Sequence, residues 1–314
     1  MHNFRENLLK HLGKFPGKVN LNFRIEEEVK EEGYQRQKVS YQVEPGERIV
    51  SYLLIPEGRS GKLPAIVAAH QHGGEFYLGK SEPAGLSWNK MYHYGKDLCL
   101  RGYVVICPDH LGFEDRRPPE YQRVKNFWFQ NEWYERFLAT KYLLYGSTLQ
   151  AKYLSDLQRA IDVLESLNFV DANLLGVIGH SLGGQEAAWL SWYDRRIKVG
   201  VCSCGLGTWK TILRDGIGHN LAAYVPGFLL LGDTEDLVAD ICPTPFFMTA
   251  GKEDEIFPID GVRQIGDKAS AYYHEQGYGS HFQLLIFPAG HSFPPEIKEA
   301  AYHWIDRWLK NSGG

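Results

Sequence analysis

Cysteine is scarce in this chain, and what there is sits badly for cross-linking. Cys99, Cys107, Cys202, Cys204 and Cys242 are odd in number, lie mostly in apolar segments and include no C-x-x-C pair. That argues against a disulfide framework and for reduced, buried thiols in a cytoplasmic protein. Long apolar runs are missing too, which leaves no membrane-spanning helix to expect. The opening MHNFRENLLKHLGKFPGK breaks its apolar positions with Arg5, Glu6, Lys10 and His11, unlike a secretory signal. Nor is there a block of one charge sign. With 34 basic and 38 acidic residues and a formal net charge of -4, the chain has no stretch suited to nucleic acid or to a membrane surface, so the expected partner is a small molecule. Repeats, low-complexity tracts and hinge-like linkers are absent.

What is present is ordinary globular composition, 44% hydrophobic and 23% charged, which is far from disorder. A chain of 314 residues at this composition is expected to fold as one elaborated domain spanning 1–314. Residues 21–56 carry partial alternation in LNFRIEEEV, QKVSYQVE and ERIVSYLLIP, punctuated by Glu31-Glu32-Gly33 and Pro45-Gly46; they read as peripheral antiparallel strands. From residue 65 onward the apolar runs become short and continuous: AIVAAH, YVVICPD, LLGVIGH, VGVCSCG, PFFMTAG and FQLLIFPAG. Such strands are buried on both faces. They alternate with helical stretches at 89–101, 150–167, 183–193 and 260–276, the pattern of an α/β chain. A last helix opens at Pro294-Pro295 and repeats Ile297, Ala301, Trp304, Ile305, Trp308 and Leu309 at three- and four-residue spacing, one stripe for packing on a sheet. Two connections are long, 111–149 and 206–242.

Gly179-His180-Ser181-Leu182-Gly183 joins the run LLGVIGH to the helix-forming QEAAWLSW. In a strand-to-helix setting, the glycines of G-x-S-x-G allow a sharp turn that presents the serine hydroxyl at the sheet edge beside a helix N-terminus. The helix end offers the Leu182 N-H and a dipole favourable to developing negative charge. Ser181 is the candidate nucleophile; His180, inside the motif, reads as a packing neighbour. The motif alone is common in a chain with 33 glycines, so its setting carries the weight.

A serine hydroxyl needs an imidazole to take its proton and a carboxylate to orient that imidazole. Glu253, Asp254 and Glu255 follow the run PFFMTAG, and His291 follows FQLLIFPAG. His281 precedes its strand and His303 falls inside the last helix, whereas His291 sits at a strand's carboxyl end, where ligands bind in open α/β sheets. After AIVAAH comes His70-Gln71-His72-Gly73-Gly74, a Gly-containing loop that could supply a second amide for an oxyanion. The backbone N-H groups of Gln71 and Leu182 are the expected donors, with His72 next in line. The competing reading is a metal held by His70 and His72, with Asp109 or His110 as further ligands. It requires the chain to stay extended, and the glycines suggest a turn.

The pieces HQHGG, GYVVICPDHLGFEDR, GHSLGGQEAAWL, YVPG, PTPFFMTAGKEDEIFP and AGH span nearly the whole chain after residue 48, and together they resemble the α/β-hydrolase superfamily. Within it, they are similar to the bacterial branch related to dienelactone hydrolases and acetyl xylan esterases. The resemblance implies a mostly parallel, doubly wound sheet of about eight strands with helices on both faces. It also implies the order Ser181, Asp254, His291 for nucleophile, acid and base, since the G-x-x-D-x-x-F-P spacing matches the superfamily's acid loop. No cofactor and no metal are implied. Two departures stand out: dienelactone hydrolases proper carry a cysteine where this chain has Ser181, and many relatives carry arginine at Thr244. The implied activity is hydrolysis of small acyl esters, including sugar acetates. A peptidase or amidase would use the same residues, and a non-catalytic binding protein could keep the same fold.

Residues 113–145 hold Phe113, Tyr121, Phe127, Trp128, Phe129, Trp133, Tyr134, Phe137, Tyr142 and Tyr145. Such a segment could wall a pocket as a lid, stabilise a long connection by packing, or form a contact in a homo-oligomer.

Overall fold

Every short apolar run of the sequence forms a strand, and all of them join one sheet. In the computed structural model, which describes residues 2–310 apart from Arg59 and Phe127, the strands are β1 (Arg24–Glu31), β2 (Tyr34–Glu44), β3 (Glu47–Pro56), β4 (Leu63–Ala69), β5 (Val104–Pro108), β6 (Val170–His180), β7 (Ile197–Ser203), β8 (Phe246–Gly251) and β9 (Phe282–Phe287). Their order across the nine-stranded sheet is β1-β2-β3-β5-β4-β6-β7-β8-β9. The pairs β1-β2, β2-β3 and β3-β5 are antiparallel, and β4 to β9 run parallel to one another. The three N-terminal strands thus extend the parallel sheet at one edge, which brings the count to nine where about eight were expected. Outermost β1 is mostly exposed and carries RIEEEVKE, charges that discourage further strand pairing.

Alternation along the central strands divides the core in two. Val67 and Val177 point to one face, with Leu154, Leu157 and Ile161 of the helix Leu149–Ser166 and Ala187 and Leu190 of the helix Leu182–Tyr193. Ile66, Ala68 and Ile178 point to the other, with Leu98 of the helix Tyr94–Leu100 and Ile297, Ala301 and Ile305 of the helix Pro295–Leu309. The last helix therefore packs its stripe on the sheet, as its spacing predicts. Helix Leu182–Tyr193 is buried along almost its whole length, so it shows no amphipathic stripe.

An element not anticipated is the helix His2–Leu12, in which Phe4, Leu8 and Leu12 form a single buried column. Arg5 fixes it by donating to Asp240 at 3.0 Å and to the Trp192 carbonyl at 2.6 Å. The long connections also fold: helices Glu120–Lys125 and Asn131–Leu144 lie within 111–149, and Trp209–Arg214, Phe228–Leu231 and Thr234–Ala239 within 206–242. All five cysteines are free thiols, and only Cys242 is not buried. No helix among the described residues is long and apolar enough to cross a membrane. Because β4, β6, β7, β8 and β9 all run in one direction, the loops after β4, β6, β8 and β9 emerge at one sheet edge.

Candidate active site

The turn after β6 is held in a conformation few side chains adopt. Ser181 has φ 56° and ψ -121°, a strained backbone kept in place by packing on every side. A Cβ on Gly179 would stand 2.2 Å from the Gly183 carbonyl oxygen, and one on Gly183 would stand 2.0 Å from the carbonyl oxygen of Ala69. Both glycines of G-x-S-x-G are thus required for close backbone approach, at strand-to-helix and helix-to-β4 contacts respectively. Ser181 N-H donates to the Ser203 carbonyl at 2.9 Å, which ties the turn to the end of β7. Leu182 begins the helix, so its N-H belongs to the first turn, whose amides have no partner within the helix.

The loop after β8 carries Asp254 and the loop after β9 carries His291. His291 Nδ1 lies 2.8 Å from Asp254 Oδ2, and Asp254 Oδ1 accepts from the N-H groups of Ile256 at 3.0 Å and Phe257 at 3.2 Å. With its carboxylate anchored by two backbone amides and only 1% of its side chain exposed, Asp254 has one orientation toward His291. Its neighbours Glu253 and Glu255 are exposed, as expected of carboxylates outside the site. The His291 ring packs between His180, 4.7 Å away, and Phe257, 5.8 Å away. His180 itself is buried, its Nδ1 paired with Ser203 Oγ at 3.0 Å, and burial pushes its titration well below the usual range. It is a neutral platform beneath His291. His281 is engaged elsewhere, with Nδ1 on the Pro243 carbonyl at 2.7 Å, and His303 is exposed on the last helix. Thr244 precedes β8, at the sheet end opposite these loops.

After β4 the chain does turn, at Gly73 (φ +55°) and Gly74 (φ +71°). His70 and His72 both pack on Phe113, but their ring nitrogens are engaged separately. His70 Nδ1 donates to the Gln71 carbonyl at 2.7 Å while Nε2 accepts from His110 N-H at 3.1 Å, and burial lowers its pKa to about 4. His72 Nδ1 accepts from Gly74 N-H at 3.1 Å, and His110 stacks on Tyr153. Asp109 is committed as well: it binds Lys80 Nζ at 2.8 Å, inside a set completed by Glu114 at 2.6 Å and Asp115 at 2.9 Å. A lysine ammonium fills the centre of those carboxylates.

Gln71 is anchored through its side chain, which donates to Glu82 Oε1 at 2.8 Å. Its backbone N-H and that of His72 lie on the loop that lines the cleft beside Ser181. Glu82, eleven residues further on, carries no motif that would have revealed the anchor.

Ser181, Leu182, Gln71, His72 and His291 line one open cleft of about 330 Å³. Its far wall comes from the long connections, namely Glu132 and Glu135 from helix Asn131–Leu144, and Gly218, His219 and Asn220 from the second connection. Within the aromatic segment, Phe113, Tyr134 and Tyr142 pack with Phe76, Leu138 and Tyr153, so packing is one of its roles. Trp133, Phe137 and Tyr145 remain exposed, and Phe127 is outside the described residues. Among the described residues, this segment contributes the acidic Glu132 and Glu135 to the cleft and no aromatic side chain.

Relatives match the chain over nearly all of its length. Across 97% of it, the chain is 27% identical to the Bacillus subtilis (strain 168) protein named "Putative hydrolase YtaP", covering 98% of that protein. A glucuronoyl esterase from Solibacter usitatus superposes with a TM-score of 0.71 at 15% identity, over 96% of this chain and 91% of that one. Acetyl xylan esterase 1 from Thermoanaerobacterium sp. JW/SL YS485 does so with 0.61 at 13% identity, over 97% and 98%. At these identities the solved structures speak for the α/β-hydrolase fold. The model of the dienelactone hydrolase family matches residues 49–304, and the chain belongs to that family.

Proposed function

We propose that the protein is a serine hydrolase of carboxylic esters that works through an acyl-enzyme on Ser181. The observation carrying this reading is the pairing of a strained serine turn with an imidazole fixed by a buried carboxylate, on loops that open into the same cleft. Asp254 holds the proton on His291 Nδ1, which leaves Nε2 to accept the Ser181 proton as the hydroxyl attacks the ester carbonyl. The tetrahedral oxyanion is met by Leu182 N-H and by an amide of the loop after β4, that of Gln71 or of His72, both of which line the cleft. His291 then protonates the departing alcohol, and water, activated by the same imidazole, releases the acid. Neither step requires a metal or an organic cofactor.

The substrates expected are small acyl esters, sugar acetates among them, in keeping with the names of the structural neighbours. A fluorophosphonate should label Ser181 in peptide mapping by mass spectrometry, and Ser181→Ala should lose turnover of nitrophenyl acetate. Labelling at another residue, or full turnover by the alanine variant, sinks the reading. Nitrophenyl esters of rising chain length, run beside acetylated sugars, then separate a deacetylase from a general esterase.

A further inference from the structure

The cleft wall facing Ser181 has a one-sided chemistry. Glu132 and Glu135 lie one turn apart on the helix Asn131–Leu144 and both line the cleft, with Glu132 exposed. Glu135 is fixed: its Oε1 accepts from the Leu221 N-H at 2.9 Å, and its Oε2 stands 3.5 Å from His72 Nε2. Held by the neighbouring connection, this carboxylate cannot swing away from an incoming ligand. No lysine or arginine is among the described residues lining the cleft.

His219 adds to the asymmetry. Its ring stacks on Phe257 at 4.7 Å, and its Nε2 is buried with no hydrogen-bond partner among the described residues. Burial lowers its pKa, so the imidazole brings no positive charge to the cleft. Other donors lining the cleft are turned elsewhere: the Gln71 side-chain amide to Glu82, that of Asn220 to Gln185, and His72 Nε2 toward Glu135. A substrate carrying a carboxylate would therefore meet two acidic side chains with no lysine or arginine to balance it.

We propose that this cleft accepts uncharged or cationic esters and turns away esters that bear a carboxylate, with Glu132 and Glu135 as the discriminating residues. The inference rests on the ester-hydrolase reading and narrows its substrate class. Para-acetoxybenzamide and para-acetoxybenzoate are near-isosteric acetates that differ in charge, so their kcat/KM values on the full-length protein isolate the effect. At low ionic strength the amide should be favoured by roughly tenfold or more, and added salt should shrink the ratio. Glu132→Gln combined with Glu135→Gln should raise the anionic ester relative to the neutral one several-fold. Trimethylammoniophenyl acetate should be at least as good a substrate as the amide.

Equal kcat/KM for the two isosteres, or a ratio unmoved by the double substitution, would overturn the charge selection while leaving the esterase reading intact. Failure to turn over either ester, together with no fluorophosphonate on Ser181, would overturn the reading beneath it and this inference with it. Labelling rates with a neutral and a carboxylate-bearing fluorophosphonate give the same contrast without relying on turnover.

Discussion

Gly251 and Gly290 meet backbone to backbone: a Cβ on Gly251 would lie 2.2 Å from the Gly290 carbonyl oxygen. The loops bearing Asp254 and His291 are further laced together by Lys252 N-H to the Phe287 carbonyl at 2.8 Å and Glu253 N-H to the Ala289 carbonyl at 2.9 Å. Gly251→Ala must push these loops apart. The overpacking should cost about 1–3 kcal/mol in urea unfolding. The displaced His291 should lower kcat/KM by about 100-fold. Wild-type turnover in a folded Gly251→Ala protein would show that the close approach is incidental.

Asp254→Asn keeps the shape of the acid loop, because Oδ1 can still accept from Ile256 and Phe257. What changes is the group facing His291 Nδ1, from an acceptor to an amide donor. The imidazole then carries its proton on Nε2 and cannot take one from Ser181. In chymotrypsin-type serine proteases the same exchange lowers kcat about 10⁴-fold, and a loss of roughly 10³–10⁴ is expected here with little change in thermal midpoint. A loss below tenfold in kcat would remove Asp254 from the orienting role.

How much of the fold and site is legible in the sequence depends on how local each signal is. The nucleophile turn is set by five consecutive residues between a strand and a helix, and Asp254 and His291 follow strands recognisable from their own apolar runs. Each needs only its neighbours to be found. Glu135, His219 and Glu82 differ, since they enter the site through connections whose path is set by tertiary packing, such as Leu138 against Phe113 and Asp233 capping the turn at Trp209 and Lys210. The engagement of the Gln71 side chain by Glu82 could not be read from the loop HQHGG, which holds only one partner of the pair. The helix His2–Leu12 escapes notice because its apolar signal is one narrow column in a strongly polar segment.

Lys80 is fully buried among Asp109, Glu114 and Asp115, and Asp109 is buried with it. The cluster joins the loop after β4 to the loop after β5, two segments that flank the cleft. Lys80→Met would leave the Asp109 carboxylate without its cation, a change that commonly costs about 3–5 kcal/mol. Lys80→Met combined with Asp109→Asn and Glu114→Gln leaves only the partly exposed Asp115, which keeps Lys38 at 3.0 Å, and should recover much of that loss. Urea unfolding of the single and combined variants checks both halves; a harmless Lys80→Met would mean that water or rearrangement solvates the acids.

Glu82 offers a test that separates electrostatics from packing. Burial raises its carboxyl from 4.5 to about 7, against the opposing hydrogen bonds from Gln71. A folded-state pKa above the unfolded one means that the fold favours the protonated acid. The stabilising contribution is then complete below about pH 4.5 and is lost as the pH rises through about 7. Glu82→Gln keeps an acceptor for the Gln71 amide and removes the titration. Relative to wild type, the glutamine variant should therefore gain stability between mildly acidic and mildly alkaline pH, by on the order of 2–3 kcal/mol. Other buried groups, His70 among them, titrate in both proteins and drop out of the difference. A difference in urea unfolding free energy that stays flat with pH would show that Glu82 is not held in its neutral form by burial. Because the same side chain anchors the loop of Gln71 and His72, kcat in the variant should fall several-fold at high pH, where the wild-type carboxylate grips the Gln71 side-chain amide most strongly.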